Sequence, residues 1–179
     1  MAIEEVERFR LPVSQLPFRE LLARCGHSRD LIPIDTEQRS LRPDEHDKQT
    51  YVNISDEGGG RSTMIVALVK VDRYTPIGEV SAALELARFR SVGSRPHLSF
   101  GVAHPEMVAG GGIIAFGTTV VLHSVMDGGG PEVFRSRCAL VLAQWPNDDP
   151  LATRAPHLLM HPLVDRLAPT TRILVECPT

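Results

Sequence analysis

Apolar and polar positions are unevenly distributed along the chain. In Thr63–Arg73, Met64, Val66 and Leu68 alternate with Ile65, Ala67, Val69 and Val71. Successive side chains of a strand point to opposite faces, so this strand is predicted to be covered on both sides. Two longer runs, Gly112–Met126 and Glu132–Trp145, flank Asp127-Gly128-Gly129-Gly130-Pro131 and are rich in Val, Ile, Thr and Phe. Glycine reaches positive φ without a Cβ penalty, and Asp-Gly favours hairpins, so the two runs are predicted to pair antiparallel. Cys138 falls inside the second run and reads as a core thiol. His97–Ala103, after the Arg95-Pro96 break, reads as a short strand, and Arg172–Cys177 as a closing one.

Helical spacing is rarer. Leu16, Phe18, Leu21, Leu22 and Cys25 recur at helical intervals within Ser14–Cys25, and Gly26 supplies a stop. Pro156–Leu167 has room for one or two helical turns. Gly78–Arg90 fits both periods. As a helix, Thr75 caps it, Pro76 lies in the first turn, and Val80, Leu84 and Ala87 form one stripe. As a strand, Val80, Ala82, Leu84 and Leu86 alternate with Glu79, Ser81, Ala83 and Glu85. Its Ala, Leu and Glu content favours the helix. Asp35–Arg61 is highly charged with few large apolar residues, and reads as an extended arm with a brief strand at Tyr51–Ile54.

Together these elements divide the chain into residues 1–60, a short helix and polar arm, and residues 61–179, a β-rich domain. The expected fold is mainly β, an antiparallel β-sandwich of jelly-roll type with short helices. The alternative is an α+β, hot-dog-like fold in which the sheet wraps a helix at Pro76–Arg90.

Composition narrows the functional classes. The 179 residues carry a formal charge of −3. Residues 1–60 hold 12 acids against 8 bases, and residues 61–179 hold 10 against 11, so there is no basic tail of the kind that dominates phosphate binding. The 3 cysteines, Cys25, Cys138 and Cys177, are widely spaced and form neither a disulfide framework nor a C-x-x-C site. The amino terminus, Met1-Ala2-Ile3-Glu4-Glu5, has no apolar core of a secretory signal, and no run is long enough to span a bilayer. A cytoplasmic protein without a membrane span is expected.

Catalytic motifs are few. His157 and His161 stand four apart with Asp165 one turn on, which on a helix is metal-ligand spacing. The glutamate of H-E-x-x-H is missing, Pro162 interrupts the turn, and two histidines on a short amphipathic turn is the simpler account, so no metal or other cofactor is assigned. Gly110-Gly111-Gly112-Ile113-Ile114-Ala115 matches a dinucleotide fingerprint only in letters, because a strand follows where a helix is required. Arg73, Arg88, Arg90 and Arg95 form a local basic cluster offset by Glu79 and Glu85, and are the candidate contacts to nucleic acid.

Met64–Arg73, Pro76-Ile77-Gly78-Glu79-Val80, Val80–Ala87, Gly112–Met126 and Arg137 through Trp145 follow one another as in small plant-virus movement proteins. The chain resembles that superfamily, and its tombusvirus-like members most, over residues 63–145. The resemblance implies a jelly-roll-like sandwich that binds single-stranded RNA cooperatively and acts in the host cytoplasm and at plasmodesmata. One departure is that Leu86-Ala87-Arg88 stands where that family ends its glycine-entered strand with an aspartate.

Two functional classes are therefore expected. One is a non-enzymatic β-sandwich that forms a homo-oligomer and binds macromolecules, as a movement, coat or other structural protein. The other is a hot-dog-like enzyme on acyl thioesters, with His97, His104 or Glu106 as acid or base. The state of Gly78–Arg90, helix or strand, separates them.

Overall fold

The structure is a computed structural model and describes residues 2–25, 34–35, 51–54, 56, 58, 60–108, 112–123, 136–143, 157–162 and 166–178. The turn at Asp127–Pro131, Asp165 and most of the polar arm lie outside the described residues.

In chain order the elements are β1 (Ile3–Pro12), α1 (Phe18–Arg24), β2 (Ile34–Asp35), β3 (Tyr51–Ile54), β4 (Thr63–Val71), β5 (Thr75–Pro76), α2 (Ile77–Leu86), β6 (Arg90–Ser91), α3 (Ser94–Ala103), α4 (Pro105–Val108), β7 (Ile113–His123), β8 (Ser136–Ala143), β9 (His157–Pro162), β10 (Arg166–Leu167) and β11 (Arg172–Glu176). Nine of these strands join one sheet. Its path runs β1-β4-β11-β7, continues through β8 to β9, and branches from β7 to β3 and β2, while β6 pairs with the end of β11. β5 and β10 form a separate two-stranded ribbon.

β4 explains why the sheet needs two covers. Met64, Val66 and Leu68 enter one apolar core, with Phe18, Leu21 and Leu22 of α1 and Leu98 and Phe100 of α3. Ala67, Val69 and Val71 enter a second core, with Val80 and Leu84 of α2. β11 divides the same way, Leu174 to the first core and Ile173 and Val175 to the second. The strand period of two thus places α1 and α3 on one face and α2 on the other. Fully burying Val80 and Leu84 is worth about 2 kcal/mol each, which is what holds α2 to the sheet.

β1 was not legible as a strand, and its register shows why. Ile3 and Glu5 lie opposite Val71 and Val69, whereas Glu7, Phe9 and Leu11 lie opposite Leu68, Val66 and Met64, with a register shift between Glu5 and Glu7. The extra residue, Val6, moves the odd-numbered side chains from the α2 face to the α3 face and breaks the period-two pattern. The same bulge, with exposed Glu4, Glu5, Glu7, Arg8 and Arg10, blunts this edge against further strand pairing.

Several expectations change. The sheet-rich reading holds in its coarser form, but the sheet is open and mixed, because β11 runs parallel to β7 and β2 parallel to β3. Gly78–Arg90 is helical over Ile77–Leu86. The Thr75 hydroxyl does not cap it but donates to the Arg73 carbonyl at 2.8 Å, and Pro76 takes the N-cap position. His97–Ala103 is helix, not strand: Pro96 is the third residue of α3, where a missing amide costs nothing. His157–Pro162 is a strand paired with β8, not helical turns. The expected hairpin partners do pair antiparallel as β7 and β8. Tyr51–Ile54 is a strand, as expected, on the second half of β7. β1 pairs with β4, and residues of β1 and α1 pack in the first core.

Candidate nucleic-acid interface

The four candidate arginines separate into three environments. Arg95, in the first turn of α3, is buried, and its guanidinium grips both carboxylate oxygens of Asp56 at 2.7 Å. Its remaining nitrogen donates to the carbonyls of Ser14 and Leu16 at 2.8 and 2.9 Å, and the group lies 5.8 Å over the Phe18 ring. This fork ties α3 to the loop before α1 and to the end of the arm, and the Asp56 carboxylate raises the Arg95 pKa further. Sequence reasoning missed Asp56 as its partner, because the two are 39 residues apart.

Arg73 lies in the turn after β4, at the far end of the sheet. Arg90 is opposite Glu176, and Glu176 is opposite Val66, so strand rise puts Arg73 about 20 Å from Arg90. Only Arg88 and Arg90 stay together.

Arg88 closes α2. Its amide donates to the Glu85 carbonyl and the Phe89 amide to the Leu84 carbonyl, both at 2.9 Å, while Phe89 and Leu84 pack in the second core. This is a Schellman turn, whose left-handed position usually carries glycine. Here that position is Arg88, at φ 62°. Arg88 and Arg90 are both exposed, and among the described residues no carboxylate forms an ion pair with either. Leu86, beside them, is 88% exposed.

The candidate acids and bases are placed differently from one another. His97 is fully buried. Its Nε2 is 3.0 Å from the Ile113 carbonyl, which can only accept, so Nε2 carries the proton. Burial holds its pKa down at about 4 against that hydrogen bond, and among the described residues Nδ1 has no partner. His97 is thus a neutral core side chain closed to substrate. His104 caps the end of α3, packs on Phe9 and Phe100 at 4.8 and 4.9 Å between ring centroids, and approaches Glu106 at 3.4 Å. His97 and His104 both belong to α3 and its cap, not to a strand. The Cys25 thiol donates to the Leu98 carbonyl and is pushed up to about 12 by burial, which excludes it as a nucleophile. His157 and His161 lie on a strand, so the helical ligand spacing does not apply to them, and among the described residues no three His, Cys, Asp or Glu groups converge. No helix among the described residues is long and apolar enough to cross a membrane.

No protein-family model, curated protein or solved structure matches the chain. The strand pattern over residues 63–145 is the whole basis of the likeness to movement proteins, and within it Val80–Ala87 falls in α2 and its cap.

Proposed function

We propose that this chain is a non-enzymatic binding domain that contacts single-stranded nucleic acid through the turn carrying Arg88 and Arg90. The observation behind this reading is Arg88 itself. A left-handed conformation costs a non-glycine residue about 1 kcal/mol, and glycine would close the same turn without it. An exposed arginine there, with no carboxylate partner among the described residues, is suited to an external anion, and strain of this kind collects at functional positions. Net charge of −3 supplies no long-range attraction, so a single copy binds weakly. Self-association sums weak contacts along a strand, and with the edge of β1 blunted, copies meet through another surface. A role in viral cell-to-cell movement or in a coat belongs to this reading; the jelly-roll-like closure of the sheet is not needed by it.

The test is binding of a labelled single-stranded RNA by the parent and by the Arg88→Glu, Arg90→Glu double variant at low and moderate salt. The reading expects weak, salt-sensitive binding that the double variant loses while remaining folded. Absence of binding by the parent at low salt and micromolar protein sinks it.

The helix at Ile77–Leu86 favours the second reading, an enzyme on acyl thioesters. Since His97 is closed off, its acid–base work falls to His104 and Glu106. Turnover of an acyl-thioester substrate that is lost in His104→Ala would establish it.

A further inference from the structure

The sheet register brings together arginines that the sequence keeps apart. β1 ends, β4 begins, and β11 meets β6 at one end of the sheet. Arg10 of β1 lies opposite Ile65 of β4, close to the β4 start. Arg61 precedes β4 by a short turn, and its guanidinium pairs with Glu176 of β11. Arg90 of β6 lies directly opposite that same Glu176. Arg88 is at the adjacent end of α2. All four arginines are exposed.

Strands are about 4.8 Å apart, so Arg10 to Arg90 spans about 14 Å, across β1, β4, β11 and β6. Arg10 lies on the α2 face, with Ile65, and Arg90 on the α3 face, with Glu176. The rim where the strands stop borders both faces, and an arginine side chain is long enough to reach it from either one. Among the described residues the acids nearby are Glu176, engaged by Arg61, Glu7, three residues before Arg10 on β1, and Glu85 on the last turn of α2; Asp56 is engaged by Arg95.

We infer that this rim, Arg10, Arg61, Arg88 and Arg90, is the phosphate-contacting row, with Glu176 acting as its brake by holding Arg61. The inference rests on the nucleic-acid reading above and extends it in two ways. It recruits Arg10 and Arg61, which lie outside the basic cluster seen in sequence, and it removes Arg73 and Arg95. The ligand is a flexible phosphodiester backbone. Exposed guanidinium forks pair with phosphate oxygens, which hold a strand in place without reading its bases.

The experiment is fluorescence anisotropy with a labelled oligouridylate at several salt concentrations. It compares the parent with Arg10→Gln, Arg61→Gln, Arg73→Gln, Arg88→Gln and Glu176→Gln, each checked for folding by circular dichroism. Arg10→Gln and Arg61→Gln are each expected to weaken binding about threefold or more, and to lower the slope of log K against log salt by about 0.7. Arg73→Gln is expected to leave binding within about twofold of the parent, and Glu176→Gln to strengthen it about threefold by releasing Arg61. If Arg88→Gln weakens binding but Arg10→Gln and Arg61→Gln do not, the row is wrong and the nucleic-acid reading survives. An Arg73→Gln loss equal to that of Arg61→Gln also overturns the row. No binding by the parent removes both.

Discussion

Arg88 and Arg95 are separated only by the short strand β6 and its connections, yet the structure treats them in opposite ways. Arg95 is buried, and its donors are engaged by Asp56, Ser14 and Leu16. Arg88 is exposed, strained at φ 62°, and, among the described residues, without a carboxylate partner. A buried guanidinium must be fully paired, because removing it from water otherwise costs several kcal/mol. An exposed one has no such requirement, so its position can be retained for something outside the chain. Proximity in sequence made the two look like one basic cluster; burial separates a structural clamp from an exposed side chain.

The largest effect is expected at the clamp. Arg95→Leu takes a charged donor away from two part-buried carbonyls and from the exposed Asp56 carboxylate, and should destabilise the fold by about 3 kcal/mol, read as a lower urea midpoint. A loss below about 1 kcal/mol would mean that Arg95 is not the clamp, and the contrast with Arg88 would weaken.

Next is acid sensitivity from the same helix. His97 has a folded pKa of about 4, below the ordinary histidine value of 6.5. The unfolded chain therefore binds a proton that the folded chain refuses. The stability contribution is complete above pH 6.5, and falls as pH drops from 6.5 towards 4, by about 3 kcal/mol in total. Urea midpoints of the parent and of His97→Met between pH 7 and pH 4.5 check this. The parent should lose more than the variant, and equal losses would show that His97 is not held neutral by its surroundings.

A smaller effect is expected where β7 passes the chain before α3. A Cβ on Gly117 would come within 2.5 Å of the Val92 carbonyl oxygen and 2.7 Å of its carbon. Backbone atoms cannot move aside cheaply, so Gly117→Ala should cost about 2 kcal/mol by thermal or urea unfolding. The smallest effect has the opposite sign. Arg88→Gly should stabilise by about 1 kcal/mol and weaken strand binding at the same time. A variant that is more stable and binds equally well would show that Arg88 is not kept for contact.

The parts of the fold that could be read in sequence are those where one period dominates. Thr63–Val71 alternates without interruption and is a strand, and Phe18, Leu21 and Leu22 sit on a helix as their spacing required. α2 fitted both periods because Ala82 and Leu86, which completed the strand pattern, are exposed in the helix. α3 was hidden by Pro96, a helix breaker anywhere but in the first turn. β1 was hidden by its bulge at Val6. Of the site, Arg88 and Arg90 were legible as local charge. That Arg95 is buried, Arg73 remote, and Arg61 and Arg10 nearby depends on pairings between distant segments, such as β1 with β4 and β6 with β11, which local composition does not encode.

The central claim is that single strands lie along the rim of Arg88 and Arg90 and not along α3 or the turn at Arg73. Photo-crosslinking of a 4-thiouridine-substituted single strand to the intact protein, followed by peptide mapping, tests it directly. The account predicts crosslinks within residues 86–91 and about Arg61, with none at residues 73–76 or 94–97. Crosslinks concentrated at Arg73 or at the first turn of α3, with the rim unlabelled, would contradict it.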